Sequence, residues 1–584
     1  MITLRETATH VLAAGDRADL DVLSEFFKFQ PEGYWFAPSY QRWLVSKHQE
    51  GWDGWIKTFQ RFSATVGRIL RGHKSEMLAV LKDQKVEIDD RKLIPPAFNL
   101  TVDDVPADIL EAEFELDDHQ REGIAFWLSS GIGICRVTVS GGKTAMFAGA
   151  AAMIRRQFPH ARILYVTQAE RLVRQATKEM QRFLPDWDIG QYGGGRFNKD
   201  AKDMVICTIA MLYKHFVKLK ASGWFDTFMV LCYDEVHHCS SKTSKKVLLE
   251  IPAYFRLGAS DSLKQDDEKK NTEIHGLFGP MLIDVKAAPL IKAGRIAKPC
   301  IHVIDIPEWH NRFQHITAAP VINSKACVLV DGNWHTGLYK GSVYELEDDG
   351  SIKTRTVKGI EKDEEGEWVT EEVPVIQQGL HRIEIQGQVL EVDSQWCLLE
   401  RTYDKAIVQF KSRNDLIVEW ALHFSGLRYP TLIVCTRTIH ILVLETLLKE
   451  KLDPKLVDIL FGDDAPGKRD RTFDWFRNTP GSILITPLVK EGVSINEIRA
   501  GVVADYVSAW EVANQIVGRF IRKKPGEENR ADIVWFLDRQ HPVLRRGSDA
   551  MLQRLRRVAG YEWAAAEHPA PAAKPARKAR KGRQ

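Results

Sequence analysis

Three groups of residues have the types and spacing to do chemistry. The first is Ser140-Gly-Gly-Lys-Thr144, set between a strand-like run, Gly133 to Val137, and a helix-like run, Ala145 to Arg155. A Gly-rich turn at a helix N-terminus offers backbone N–H groups to an anion. A lysine there neutralises terminal phosphate charge, and a threonine hydroxyl can ligate Mg²⁺. Ser140, Gly141, Gly142, Lys143 and Thr144 therefore read as the phosphate cradle of a nucleotide site, with Val137 where the usual pattern starts on glycine.

The second group lies about ninety residues further on, where the apolar run Phe228 to Tyr233 ends in Asp234-Glu235. Asp234 at a strand tip can hold the hydration shell of Mg²⁺ opposite Thr144, while Glu235 polarises a water for in-line attack on the γ-phosphate. His237, His238 and Cys239 follow, but they do not supply the four spaced ligands that tetrahedral zinc needs. The third group is Gln515-Ile-Val-Gly-Arg-Phe-Ile-Arg522. If helical, Arg519 and Arg522 share a face and could stabilise charge developing on a γ-phosphate; a solvated basic face is the plain alternative.

These groups need elements to position them. At 584 residues the chain exceeds a single core and divides into several domains. From 105 to 310, and again from 402 to 560, strand-like and helix-like runs alternate, which predicts two α/β domains with parallel sheets. Prolines and acidic residues near Leu93 to Pro106 mark a linker after an N-terminal α+β domain, 1–104. That domain is rich in Phe, Tyr and Trp, most of them expected in its core. Short β-prone runs and turns over 311–401 predict an inserted antiparallel β module. The Ala/Pro-rich, basic segment 561–584 predicts a disordered tail.

Composition narrows the class without choosing a partner. The net charge is +3. Eight cysteines are scattered with no C-x-x-C pair, so neither a zinc site nor a disulfide framework is expected. No apolar run reaches membrane-spanning length and no signal-peptide layout opens the chain, so the expected location is the cytoplasm with no membrane partner.

Taken in order, Leu116-Asp-Asp-His-Gln120, Ser140-Gly-Gly-Lys-Thr144, Ile163 to Gln168, Thr208, Asp234-Glu-Val-His237, Leu257-Gly-Ala-Ser260, Thr486, Glu491-Gly-Val-Ser-Ile495 and Gln515 to Arg522 resemble the motifs of superfamily 2 helicases of the DExH type. The resemblance covers roughly 105 to 310 and 402 to 540. Asp117, Asp261 and Ser494 depart from the usual residues at their positions. Within the superfamily, Trp52-Asp-Gly54 and Leu277-Phe-Gly-Pro280 look like the phage UvsW-type branched-DNA helicases.

The resemblance implies two RecA-like lobes of the P-loop NTPase class, with ATP and Mg²⁺ as cofactors. By the same resemblance, Gln120 reads adenine, Glu491 and Gly492 serve the nucleotide side, and Gln515, Arg519 and Arg522 act in catalysis from across a cleft. Thr167, Gln168, Thr208, Thr486 and Trp52 are placed at nucleic acid. The expected activity is ATP-driven unwinding or remodelling of duplex or branched DNA with single-stranded regions, by a monomer, in replication, recombination or repair. A non-hydrolysing DNA-binding protein on the same scaffold, an RNA helicase and the motor subunit of a restriction system are the alternatives.

Overall fold

The apolar runs form strands buried on both faces, and the intervening segments form the helices that parallel crossovers require. The computed structural model describes residues 1–31, 34–46, 51–92, 98–110, 114–261, 268–306, 325–330, 333–344, 354–362, 368–374, 376–385, 387–392, 396–398, 403–462, 464–487, 498–508, 510–522, 529–539 and 542–565. It divides into two compact units, Met1–Ile296 and Ala297–Gln584.

The first unit carries two sheets. The smaller has the strand order Gln60–Arg61, Val66–Leu70, His10–Ala14, Ile2–Glu6, Ile88–Arg91, and the helices Arg17–Phe26 and Lys74–Asp83 complete its core. Among the described N-terminal aromatics Phe27 and Phe59 enter that core, whereas Phe26, Trp35 and Phe62 are exposed. The expectation that most of these aromatics lie in the core is not met, and Ile2, Leu4, Val11, Leu20, Leu23, Ile69, Met77 and Leu81 supply most of it.

The larger sheet runs Arg196–Phe197, Ile189–Gly193, Met204–Thr208, Ile163–Thr167, Val230–Asp234, Phe255–Ser260, Ile132–Val137, Met281–Val285. All its pairings are parallel except the terminal hairpin. The strands 163–167, 204–208 and 255–260 are buried throughout. In a parallel sheet all C-terminal strand ends lie on one edge, so Thr167, Thr208, Asp234 and Ser260 arrive there together.

The second unit has a parallel sheet of order Val457–Ile459, Ile483–Thr486, Thr431–Val434, Ala500–Val503, Arg530–Asp538, Lys298–Ile306, Glu562–Ala565. Two boundaries differ from expectation. The strand Lys298–Ile306, assigned to the first α/β domain (105–310), pairs with Arg530–Asp538 in the second, with Ile301 opposite Ile533. The strand Glu562–Ala565, assigned to the disordered tail (561–584), pairs with Cys300 to Val303. Both pairings join residues more than 200 positions apart, which local pattern does not report. Residues 566–584 lie outside the described set.

Inside this unit, strands Lys325–Val330, Asn333–Tyr344, Ile376–Ile385, Gln388–Val392 and Trp396–Leu398 form an antiparallel sheet, beside a hairpin of Thr354–Lys362 and Trp368–Pro374. This is the expected β module. Behind the parallel sheet, the Arg413 guanidinium donates to both carboxylate oxygens of Asp538 at 2.7 and 3.2 Å and to the Ala504 carbonyl at 2.7 Å. Both ionic side chains are essentially solvent-free, which ties the helix Lys411–Gly426 to two strands.

Candidate nucleotide site

The strand Ile132–Val137 leads into the turn 138–142, and the helix Lys143–Gln157 begins immediately after it. The turn is closed by the Gly141 N–H donating to the Thr138 carbonyl at 3.0 Å. Gly142 has φ 85°, and a Cβ there would fall 1.9 Å from Gln120 Nε2, so both conformation and space require glycine. From Lys143 onward the first-turn N–H groups have no carbonyl of their own helix, the condition for holding an anion. Thr144, half-buried, stands on that turn.

Gln120 braces the loop from behind. It is 2% exposed; its Oε1 accepts from the Asp117 N–H at 2.8 Å, and its Nε2 donates to the Gly141 carbonyl at 3.4 Å. His119 Nε2 lies 3.0 Å from the same carbonyl. Asp117 in turn pairs with Arg295 at 2.7 Å. In this arrangement the Gln120 amide sets the orientation of the Gly141 peptide.

At the tip of Val230–Asp234, Lys143 Nζ donates to Glu235 Oε1 at 2.9 Å. The Asp234 Oδ2 accepts from Tyr165 Oη at 3.3 Å, and Oδ1 accepts from the Glu235 N–H at 3.0 Å. Ser260 Oγ lies 2.8 Å from His237 Nδ1 and donates to Glu235 Oε2 at 3.4 Å. Glu235 holds φ 54° and Ser140 φ 64°, two of four non-glycine left-handed residues among the described set. Each such conformation costs on the order of 1–3 kcal/mol, and both are placed on this site.

The electrostatics of the pair are asymmetric. Burial, followed by the charge of Glu235, pushes Asp234 up to about 6 against the pull of Lys143. Burial would also raise Glu235, but Lys143 and His237 outweigh it and hold the carboxyl below its ordinary range. Burial works against the Lys143 charge, yet Glu235, Asp261 and Asp234 raise it above the ordinary lysine value. Two adjacent carboxylates that resist joint ionisation are relieved by a cation between them and a phosphate. The oxygen donors Asp234 and Thr144 suit Mg²⁺, and the loop suits the phosphates of ATP.

Other expected site residues are placed differently. Thr167, Thr208 and Thr486 end their strands but are 1%, 3% and 2% exposed. Thr167 Oγ1 donates to the Ala169 carbonyl at 3.2 Å, and Thr208 Oγ1 accepts from the Met211 N–H at 3.1 Å as a helix cap. Gln168 Nε2 turns inward to Tyr233 Oη at 2.5 Å. Trp52 in the small domain donates through Nε1 to the Trp55 carbonyl at 2.8 Å. In the second unit Gln515 and Arg519 lie on the helix Trp510–Phe520, but Arg522 follows its end, so the expected shared helical face stops at Arg519. Glu491 and Gly492 lie outside the described residues.

The sequence places Tyr165 and Ser260 inside motifs and Asp261 at a departing motif position, without giving any of them an individual contact. The parallel register Asp234 to Ala259 brings Ser260 beside Glu235, a consequence of strand order that no local motif carries. Cys135, Cys207, Cys232, Cys239, Cys300 and Cys435 are free and buried, and no described helix is long and apolar enough to cross a membrane.

Residues 113–261 match the family model described as type III restriction enzyme, res subunit. The chain is 26% identical over 182 residues to the DNA 3'-5' translocase XPB2 of Sulfurisphaera tokodaii, covering 31% of this chain and 37% of that protein. It is 27% identical over 213 residues to putative helicase 22 of Sulfolobus islandicus filamentous virus, covering 34% and 37%. The chain thus spans little more than a third of the length of these relatives. Among solved structures, bacteriophage T4 UvsW aligns over 97% of this chain and 99% of its own, at 16% identity and TM-score 0.41. The DUF1998 helicase MrfA, bound to DNA and AMPPNP, aligns over 81% and 54%, at 12% identity and TM-score 0.47.

Proposed function

We propose that the chain is an ATP-driven DNA translocase that separates or remodels duplex and branched DNA, a reading supported by the match of residues 113–261 to the type III restriction enzyme res-subunit family and by the similarity to a DNA translocase. The observation that carries this reading is the Lys143–Glu235 pair at 2.9 Å beside Asp234, which joins the phosphate loop to the acidic strand tip.

In this proposal, ATP displaces Glu235 from Lys143, whose ammonium then meets the terminal phosphates. Mg²⁺, held by Thr144 and Asp234, would neutralise charge on the β- and γ-phosphates. Glu235, released, accepts a proton from the attacking water, and the Ser260–His237 hydrogen bonds keep its carboxylate oriented. By their resemblance to the helicase motifs, Gln515, Arg519 and Arg522 of the second unit are proposed to serve catalysis. Gln120 serves the adenine side while it holds the loop.

The DNA preference is supported by the relative named a DNA translocase and by the small domain, which carries Trp52 and exposes Phe26, Trp35 and Phe62. Arg68 sits 5.0 Å over the Phe62 ring, a basic and aromatic pairing suited to bases and phosphates. Strand separation on matched DNA forks, Holliday junctions and RNA forks tests the reading. ATP-dependent opening of the DNA substrates supports it; opening of RNA forks alone sinks it.

A further inference from the structure

The turn Arg71–His73 of the small domain lies against the helix Glu268–Phe278 of the large-sheet domain in the same unit. The approach needs two glycines. A Cβ on Gly72 would fall 1.8 Å from the His275 carbonyl, and one on Gly276 would fall 2.6 Å from Leu70 Cδ1. Arg71, 3% exposed, locks the flank by donating to Glu6 at 2.7 Å and lying 4.5 Å over the Tyr254 ring. This contact brings His73, Glu76 and His275 together.

Both ring nitrogens of His73 face oxygen acceptors. Its Nε2 lies 3.1 Å from the Thr272 carbonyl, which only accepts, so that nitrogen carries the hydrogen. Its Nδ1 lies 2.7 Å from Glu76 Oε2. The other carboxylate oxygen, Oε1, stands 3.6 Å from His275 Nδ1, beyond hydrogen-bond length. The two rings are 4.9 Å apart, and ligand atoms of all three residues lie within 4.8 Å of one another. A histidine whose far nitrogen is fixed by a carbonyl, with its near nitrogen facing a carboxylate and a second imidazole, has the form of a metal ligand.

We propose that His73, Glu76 and His275 bind a divalent transition metal, zinc by their donor set, that clasps the small domain onto the large one. Imidazole and carboxylate donors bind zinc at about 2.0–2.2 Å, leaving a position for water. The His73 side chain is 5% exposed and that of Glu76 41%, so the ion enters along Glu76, whose rotation opens the 2.7 Å approach. The site is separate from the phosphate loop and does not depend on the proposed activity.

The test uses the full chain stripped with a chelator and titrated with Zn²⁺ against a chromophoric competitor, alongside Glu76→Gln and His275→Gln. Wild type should take up a tight zinc ion that raises its melting temperature. Each variant should bind it at least about 10-fold more weakly and lose that rise. Glu76→Gln, at the exposed end of the cluster, decides the matter if His275→Gln does not fold. Absence of tight uptake by wild type would overturn the proposal. So would wild-type zinc affinity in a variant that melts normally in chelator.

Discussion

The Lys143 ammonium donates to Glu235 Oε1 across 2.9 Å, linking the first residue of the phosphate-loop helix to the residue that follows the acidic strand. Neither group is simply an ion-pair partner. Glu235 also accepts from Ser260 at 3.4 Å and sits in a left-handed backbone conformation, so its carboxylate is aimed as well as paired. Glu235→Gln should therefore retain nucleotide binding while ATP turnover falls about 10²- to 10⁴-fold, the range for loss of a general base. Equal losses in fluorescent-nucleotide affinity and turnover would place Glu235 in binding instead.

Asp234 sets a second expectation. Its carboxyl is pushed up to about 6 by burial and by Glu235, and the proposed role requires the ionised form. ATPase kcat/KM should fall as pH drops through about 6 and level off above it. Raising Mg²⁺ should move that acid limb to lower pH, because the cation favours the carboxylate. A limb that stays in place across Mg²⁺ concentrations would detach it from Asp234.

His302 and Asp532 give a stability profile of their own. Burial alone would lower His302, but its 2.8 Å contact with Asp532, together with Cys300, raises it to about 9. Burial would raise Asp532, but His302 and Arg530 hold it below its ordinary value. The folded His302 pKa exceeds the unfolded one, so its contribution is complete below about 6.5 and is lost as pH rises through about 9. His302→Gln should cost about 1–3 kcal/mol in denaturant unfolding near pH 6 and much less near pH 10. A constant difference between those pH values would argue against the pair.

Arg413 and Asp538 form a solvent-free ion pair in the second unit. Arg413→Met leaves a buried carboxylate uncompensated and should destabilise by about 3–5 kcal/mol in urea unfolding. Adding Asp538→Leu should restore much of that loss; a double variant as unstable as the single would show that the Ala504 contact dominates.

Much of this was legible in the sequence, for identifiable reasons. Lys143, Thr144, Asp234 and Glu235 announce themselves because phosphate and metal chemistry restricts residue type over a few positions, and buried parallel strands read as short apolar runs. Pairing across long separations does not announce itself. Lys298–Ile306 looks like the last strand of one sheet and is the sixth of the other, since its partner is Arg530–Asp538. The threonines at 167, 208 and 486 carry the right motif positions, but the structure buries them, and the first two hydroxyls bond to nearby backbone. The meeting of His73 with His275 follows from domain packing, which has no local pattern.

The central claim is that the loop and the acidic strand tip drive a motor on DNA. ATP hydrolysis by the full chain, with and without forked DNA, tests it most directly against Lys143→Ala. Turnover should rise on adding DNA and fall about 100-fold or more in the variant, as expected when phosphate-site charge is removed. Turnover indifferent to DNA, or undiminished in Lys143→Ala, would contradict the account.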